Sequence, residues 1–268
     1  MLVRLVAVLA FVRAAVVPGP LDGVLANVQP DPSTDYGLVV EDVATGSRLA
    51  LNQDRAFPSA SVYKLALAWE VLREIDRGRI DLDQPLAIID EDGVEVEPDG
   101  GWAPGDTPSV REALDTMVSV SSNAAAHALL RLVGRETFNQ AMDQLGLTQT
   151  RVPEVDDGSE ATTSAEDVAH LLRLFAQRQG LSASAQSVLR AALGQAQRPD
   201  ALRETLPDEV LILDKTGNLD NASNVGAVLS TPRGTVLLVV LDSGVDPGDA
   251  RGVIAQLGWA AYQAFLQE

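Results

Sequence analysis

The chain of 268 residues is long enough for one large domain or two interleaved ones, and an apolar share of 46% supplies a core without covalent staples. It holds no cysteine, which excludes disulfides and thiolate metal sites, and only two histidines, His127 and His170, on which any Ser-His-Asp triad or multi-histidine zinc site would have to draw. The formal charge of −18 sets the surface against phosphate backbones and anionic lipid headgroups, so nucleic acid is not an expected partner.

The chain opens Met1-Leu-Val-Arg4, followed by the apolar run Leu5–Val12 and then Arg13. One early positive charge ahead of a short apolar stretch resembles a secretory signal, although no small-x-small cleavage site follows. Residues 1–20 are therefore read as a signal or an N-terminal helix, with an extracytoplasmic location expected. No apolar run reaches the ~20 residues that a spanning helix needs. Residues 36–51 alternate as strands do and break at Thr45-Gly46, which predicts a hairpin. Over 61–77, Val62, Leu65, Ala66, Trp69, Leu72 and Ile75 recur at helical spacing, with Gly78 as a C-terminal cap.

Residues 83–108 are rich in Asp, Glu, Gly and Pro and read as irregular surface structure. Ser109-Val-Arg-Glu112 is a capping box that opens a helix near residue 110. Asn123–Val133 predicts the next helix, stopped by Gly134, and 135–145 another. A loop over 147–162 leads to Thr163-Ser-Ala-Glu166, a second capping box, and a helix over 164–177. Strand patterns return at 211–216, 225–230 and 235–241, the last two meeting across Thr231-Pro-Arg-Gly234, before a helix over about 249–266. Strands at both ends with helices between them predict an α+β fold. One antiparallel sheet is built from both chain ends and carries flanking helices, beside an all-helical lobe. The expected catalytic unit is 21–268, with an α/β lobe from about 21–58 and 205–268 and a helical lobe from about 59–204.

Three segments carry chemistry: Ser61-Val-Tyr-Lys64, Ser121-Ser-Asn123 and Lys215-Thr-Gly217. Ser61 begins an expected helix, whose N-terminal partial charge and free N–H groups suit an oxyanion beside an attacked carbonyl. Lys64 shares that helical face. A lysine among apolar neighbours has its ammonium form disfavoured and can act as a base. Ser121 and Asn123 fall where one helix stops and the next starts. They place a hydroxyl to pass a proton to a leaving nitrogen and a carboxamide to bond a substrate amide oxygen. Lys215 and Thr216 offer a cation and a hydroxyl to a carboxylate, and Gly217 lets a substrate backbone lie close to the strand edge. Singly, each segment reads as a helix cap or a strand end. Together, in this order and each at an element boundary, they point to one serine acyl-transfer site.

With their flanks, Phe57-Pro-Ser-Ala-Ser-Val-Tyr-Lys64, Met117-Val-Ser-Val-Ser-Ser-Asn123, Thr162-Thr-Ser164 and Asp214-Lys-Thr-Gly217, these segments resemble the class A-like serine β-lactamases and the wider penicillin-recognising serine hydrolase superfamily, over residues 35–268. The resemblance implies a β-lactamase/transpeptidase-like fold. It implies that Ser61 is the acylated nucleophile, Lys64 its base partner, Ser121 the proton relay and Asn123 a substrate ligand. The backbone N–H groups of Ser61 and Asn218 form the oxyanion hole, and Lys215 and Thr216 hold the substrate carboxylate. No cofactor and no metal are implied. The partner is a small-molecule β-lactam or a peptidoglycan stem peptide, and the chain is expected to act as a monomer.

Three departures from the family pattern bear on function. Ser122 stands where the family has Asp. The family's substrate-binding Arg on the following strand is matched by Asn224, with Arg251 as a substitute from elsewhere. Residues 151–160 lack the deacylating Glu-x-x-Leu-Asn loop motif. Anchored on Pro153, Val152 takes the glutamate position, Glu154 is the nearest substitute base and Asp156 lies behind it. Glu166 is assigned to the capping box, and His127 to a core or surface role, although it follows Asn123 by one helical turn. The implied activity is a hydrolase that opens the β-lactam ring through an acyl-enzyme on Ser61, slow if no loop carboxylate reaches the water. The alternatives are a penicillin-binding or D-Ala-D-Ala peptidase-like protein, or a covalent β-lactam-binding protein without turnover.

Overall fold

The computed structural model describes residues 35–93, 101–154, 159–195 and 200–266. The stretch 1–20, read as a signal or helix, lies outside the described residues. The hairpin signalled at Thr45-Gly46 forms from β1 (Asp35–Asp42) and β2 (Arg48–Leu51). Near the other end of the chain, β5 (Leu211–Leu219), β6 (Ala222–Thr231) and β7 (Gly234–Ser243) make an antiparallel meander. The two pieces join through β1 and β7, with Val39 opposite Val239, in a five-stranded antiparallel sheet of order β2-β1-β7-β6-β5.

β7 is the central strand, and both its faces are covered. Leu237, Val239 and Leu241 point into one apolar cluster, and Val236, Leu238 and Val240 into the other. The unbroken apolar run of this strand follows from that double burial, because side chains alternate between the two faces. A short pair, β3 (Phe57–Pro58) with β4 (Thr162–Thr163), stands apart from the main sheet.

The helices, in chain order, are α1 (Tyr63–Asp76), α2 (Val110–Ser119), α3 (Asn123–Val133), α4 (Arg135–Gln144), α5 (Ala165–Ala176), α6 (Ala183–Gly194), α7 (Ala201–Thr205) and α8 (Pro247–Ala261). α1 is buried continuously from Lys64 to Leu72, with α2, α3, α4 and α6 packed round it. α5 lies on the inner face of the sheet, tight against Gly226, where an added Cβ would sit 2.6 Å from Val168 Cγ1. α8 and the turn Tyr262–Leu266 cover the outer face through Ile254, Leu257, Ala261 and Leu266. Among the described residues no helix is long and apolar enough to cross a membrane.

The structure departs from the sequence expectation at several boundaries. α1 begins at Tyr63, after a 3-10 turn over Ala60–Val62, and not at Ser61. The expected capping box at Thr163–Glu166 does not form. Ser164 is the cap, accepting from Asp167 N–H at 3.1 Å, and Glu166 turns outward to pair with Arg48 and Arg173. β5 runs on through Gly217 to Leu219, because pairing with β6 continues to Ala222. The helices α6 and α7 lack an apolar stripe strong enough to be read from the sequence. Their caps, Ser182 and Asp200, each accept backbone N–H groups at the helix start.

Asp167 fixes the start of the loop that leads toward Ser61. Its Oδ2 accepts from Gln149 N–H at 2.7 Å, Thr150 N–H at 2.7 Å and the Thr150 hydroxyl at 2.9 Å. Asp167→Ala strands two backbone donors in a buried place and is expected to cost about 3 kcal/mol. Chemical denaturation measures it; a loss under about 0.5 kcal/mol would show that the loop is held by other means.

Candidate active site

Ser61 is presented by a segment tied down on both sides. Ser59 N–H donates to Ala161 O at 2.8 Å, and its hydroxyl donates to the same carbonyl at 3.0 Å. The Asn224 carboxamide donates to Pro58 O at 2.9 Å and accepts from Asp242 N–H at 2.8 Å, which binds the segment to β6 and β7. Ala60 then takes a left-handed backbone (φ 46°) and swings Ser61 to the surface of a cavity. Neither the 3-10 turn nor α1 takes a side-chain cap bond at its start, so Ser61 is not serving as a helix cap.

β5 is an edge strand, so alternate N–H groups on its outer side are not used by β6. Against this edge lies the backbone of Ser59 and Ser61. A Cβ built on Gly217 would stand 2.9 Å from Ser59 O and 2.8 Å from Ser61 N. The space that glycine leaves is therefore filled by the serine segment itself, where the sequence had suggested room for a substrate backbone. Ser61 and Asn218 both line one cavity.

The polar groups of the helical layer converge on the same place. Lys64, 1% exposed, directs Nζ to Ser121 O at 2.7 Å, Ser122 O at 3.2 Å, Asn123 Oδ1 at 2.6 Å and Ser121 Oγ at 3.4 Å. From the sheet, Lys215 Nζ donates to Ser121 Oγ at 3.1 Å and to Thr216 O at 2.8 Å. Ser122 is the residue that caps α3, accepting from Ala125 N–H at 3.1 Å, and Asn123 lines the cavity. Ser121 reaches its position through a left-handed backbone (φ 64°). A hydroxyl offers one donor and two acceptor sites. With two lysines donating to it, Ser121 keeps its O–H for an incoming atom. Asn123, having given its oxygen to Lys64, keeps its NH₂ to donate.

Asp214, next to Lys215, is buried and paired with Arg203. Burial pushes its carboxyl up to about 6, and Arg203 opposes that shift.

The cavity has a volume of about 330 Å³, and its lining includes Ser61, Tyr63, Asn123, His127, Glu160 and Asn218. A second, of about 210 Å³, shares Asn218 and adds Thr216, Asn224 and Arg251. The Arg251 guanidinium is held by Glu204 at 3.1 Å. The loop beside Ser61 closes on itself. Arg151 and Thr162 exchange backbone hydrogen bonds at 3.0 and 2.9 Å, and Asn139 brackets Val152 at 2.9 and 3.0 Å. Val152 is buried. The Glu154 side chain is exposed and outside the cavity lining, Asp156 lies outside the described residues, and Glu160 borders the cavity. Asn224, matched in the sequence to a substrate-binding Arg, is buried and engaged with Pro58. Sequence reasoning passed over Glu160, and over His127 as a cavity residue; the only signal for His127 was its spacing of one helical turn from Asn123.

The family model described as Beta-lactamase enzyme family matches residues 22–265. The extended-spectrum β-lactamase PER-1 of Pseudomonas aeruginosa is 30% identical, over 82% of this chain and 79% of that protein. The chain belongs to the β-lactamase enzyme family. Among solved structures, an ancestral class A β-lactamase is 29% identical with a TM-score of 0.82, covering 91% of this chain and all of that one. PBP-A has the same fold at 22% identity and a TM-score of 0.84, covering 91% of this chain and 95% of that one. In this β-lactamase family member Val152, Pro153, Ser159, Glu160 and Ala161 border the cavity.

Gly217 offers a direct test of the packing at the nucleophile. Gly217→Ala pushes a methyl group into the backbone of Ser59 and Ser61 and is expected to slow covalent capture of benzylpenicillin by at least about tenfold. Intact mass against time gives that rate, with near-ultraviolet circular dichroism confirming the fold. An unchanged rate would mean that the segment moves aside freely.

Proposed function

We propose that this protein hydrolyses β-lactams through a covalent acyl-enzyme on Ser61. The observation that carries the reading is the meeting of Lys64 and Lys215 on one hydroxyl, Ser121, beside the cavity that Ser61 lines. Lys64, acting in its neutral amine form, takes the proton of Ser61 as its oxygen attacks the lactam carbonyl. The backbone N–H groups of Ser61 and Asn218 receive the developing oxyanion. Ser121, whose oxygen accepts from both lysines, gives its proton to the departing nitrogen and regains one from Lys64. Lys215 and Thr216 bind the substrate carboxylate, and the Arg251 cation in the adjoining cavity adds to the attraction. Asn123 donates to the substrate side-chain amide. An extracytoplasmic location accords with the charged and apolar start of the chain.

A second reading has one observation in its favour. The loop presents the apolar, buried Val152 where the family pattern has a glutamate, and Glu154 is exposed and outside the cavity lining. A long-lived adduct would fit a D-Ala-D-Ala peptidase-like protein acting on peptidoglycan stem peptides, or a covalent binder. The two readings separate in one experiment that follows intact mass with benzylpenicillin beside turnover of a chromogenic cephalosporin. Hydrolysis predicts steady turnover with a transient adduct on Ser61, and Ser61→Ala loses both. A stoichiometric adduct that persists for hours favours the second reading. Labelling retained in Ser61→Ala would reject Ser61 as the nucleophile.

A further inference from the structure

We propose that His127 is the general base that activates the deacylating water, an inference that rests on the acyl-enzyme reading above. His127 lies one turn along α3 from Asn123, on the same helical face, and both line the cavity that holds Ser61. Its Nδ1 lies 3.2 Å from the backbone carbonyl of Asp92. A carbonyl only accepts, so Nδ1 carries the hydrogen. That bond fixes the tautomer and leaves Nε2 as the basic nitrogen, and no described residue partners it.

The orienting carbonyl is itself held firmly. The Asp92 carboxylate, buried, takes Arg131 in a two-point pair at 3.0 and 2.6 Å and accepts from Ile89 N–H at 3.0 Å. Arg131 in turn donates to Ala87 O at 2.7 Å. The base is thus oriented by a partner, the partner is locked by an ion pair, and the nucleophile borders the same cavity, which is the arrangement that acid–base catalysis requires.

Among the described residues the competing groups are fewer than the sequence suggested. Glu154 lies outside the cavity lining, and Val152 has no proton to exchange. Burial pushes the Tyr63 phenol up to about 12, so it keeps its proton near neutrality. Glu160 borders the cavity from an exposed loop position, and no described hydrogen bond orients its carboxylate, whereas the imidazole is fixed on a buried helix.

In the step, Nε2 accepts a proton from water as the water oxygen adds to the ester carbon of acyl-Ser61. The tetrahedral adduct collapses with cleavage of the bond to Ser61 Oγ. The imidazolium returns the same proton to that oxygen, directly or through Lys64. Serine, neutral imidazole and the ring-opened acid result. Among the described residues, the charged and titratable groups around His127 are Asp92 and Arg131, which pair with each other, and Tyr63, Arg135 and Glu160, which line the same cavity.

The test measures release of the benzylpenicillin adduct by intact mass for the wild type, His127→Gln, His127→Ala and Glu160→Gln. Both His127 variants should accumulate the Ser61 adduct and release it about 10²-fold or more slowly. Added imidazole should speed release from His127→Ala. Release from His127→Ala within threefold of wild type overturns the proposal, as does a loss confined to Glu160→Gln. Absence of both adduct and turnover in the wild type would remove the acyl-enzyme reading itself, and the inference with it. Normal acylation with unchanged release removes the inference alone.

Discussion

Two ammonium groups, one from the helical layer and one from the sheet, share a single hydroxyl at the seam between them. Lys64 and Lys215 reach Ser121 Oγ at 3.4 and 3.1 Å, so the two cations are at most the sum of those distances apart. At an effective dielectric of about 20, like charges that close repel by about 2.5 kcal/mol or more. The oxygens of Ser121, Ser122, Asn123 and Thr216 offset this, since hydrogen bonds to charged groups contribute about 1.5–3 kcal/mol each. The repulsion is outweighed but not removed. An anionic substrate arriving beside Lys215 meets both cations at this seam.

The fold exists in large part to bring those groups together. α1 holds Lys64 by being surrounded with other helices, and β5 holds Lys215 as the outermost strand of a sheet whose middle is buried on both sides. Neither layer touches the other through a covalent staple; the chain has no cysteine. The registration at the seam comes from backbone contacts: the serine segment against Gly217, the carboxamide of Asn224 on Pro58 O, and β3 on β4.

Much of this was legible in the sequence. The three motifs stood at element boundaries, where short polar residues already signal caps and strand ends. The apolar run of β7 marked it as a strand, paired with β6 across the turn at Thr231–Gly234. What could not be read depends on contacts distant along the chain. Thr163–Glu166 matched a capping box, yet Ser164 took the cap because Asp167 was needed to hold Gln149 and Thr150. Glu154 was nearest to the expected position by counting, but the Arg151–Thr162 pairing closes the loop so that Glu160 borders the cavity instead. The partner of His127 is a backbone carbonyl 35 positions away, and backbone carbonyls carry no sequence signature.

Ser121 brings a conflict of interest into the molecule. A side chain in the left-handed region costs roughly 1 kcal/mol, and glycine is the residue that would lift it. Glycine would also take away the oxygen on which both lysines converge. Selection for heat resistance and selection for turnover therefore pull this one codon in opposite directions. Lineages that abandon the chemistry but keep the scaffold would be free to drift to glycine there, and residue 121 would mark which course a descendant had taken.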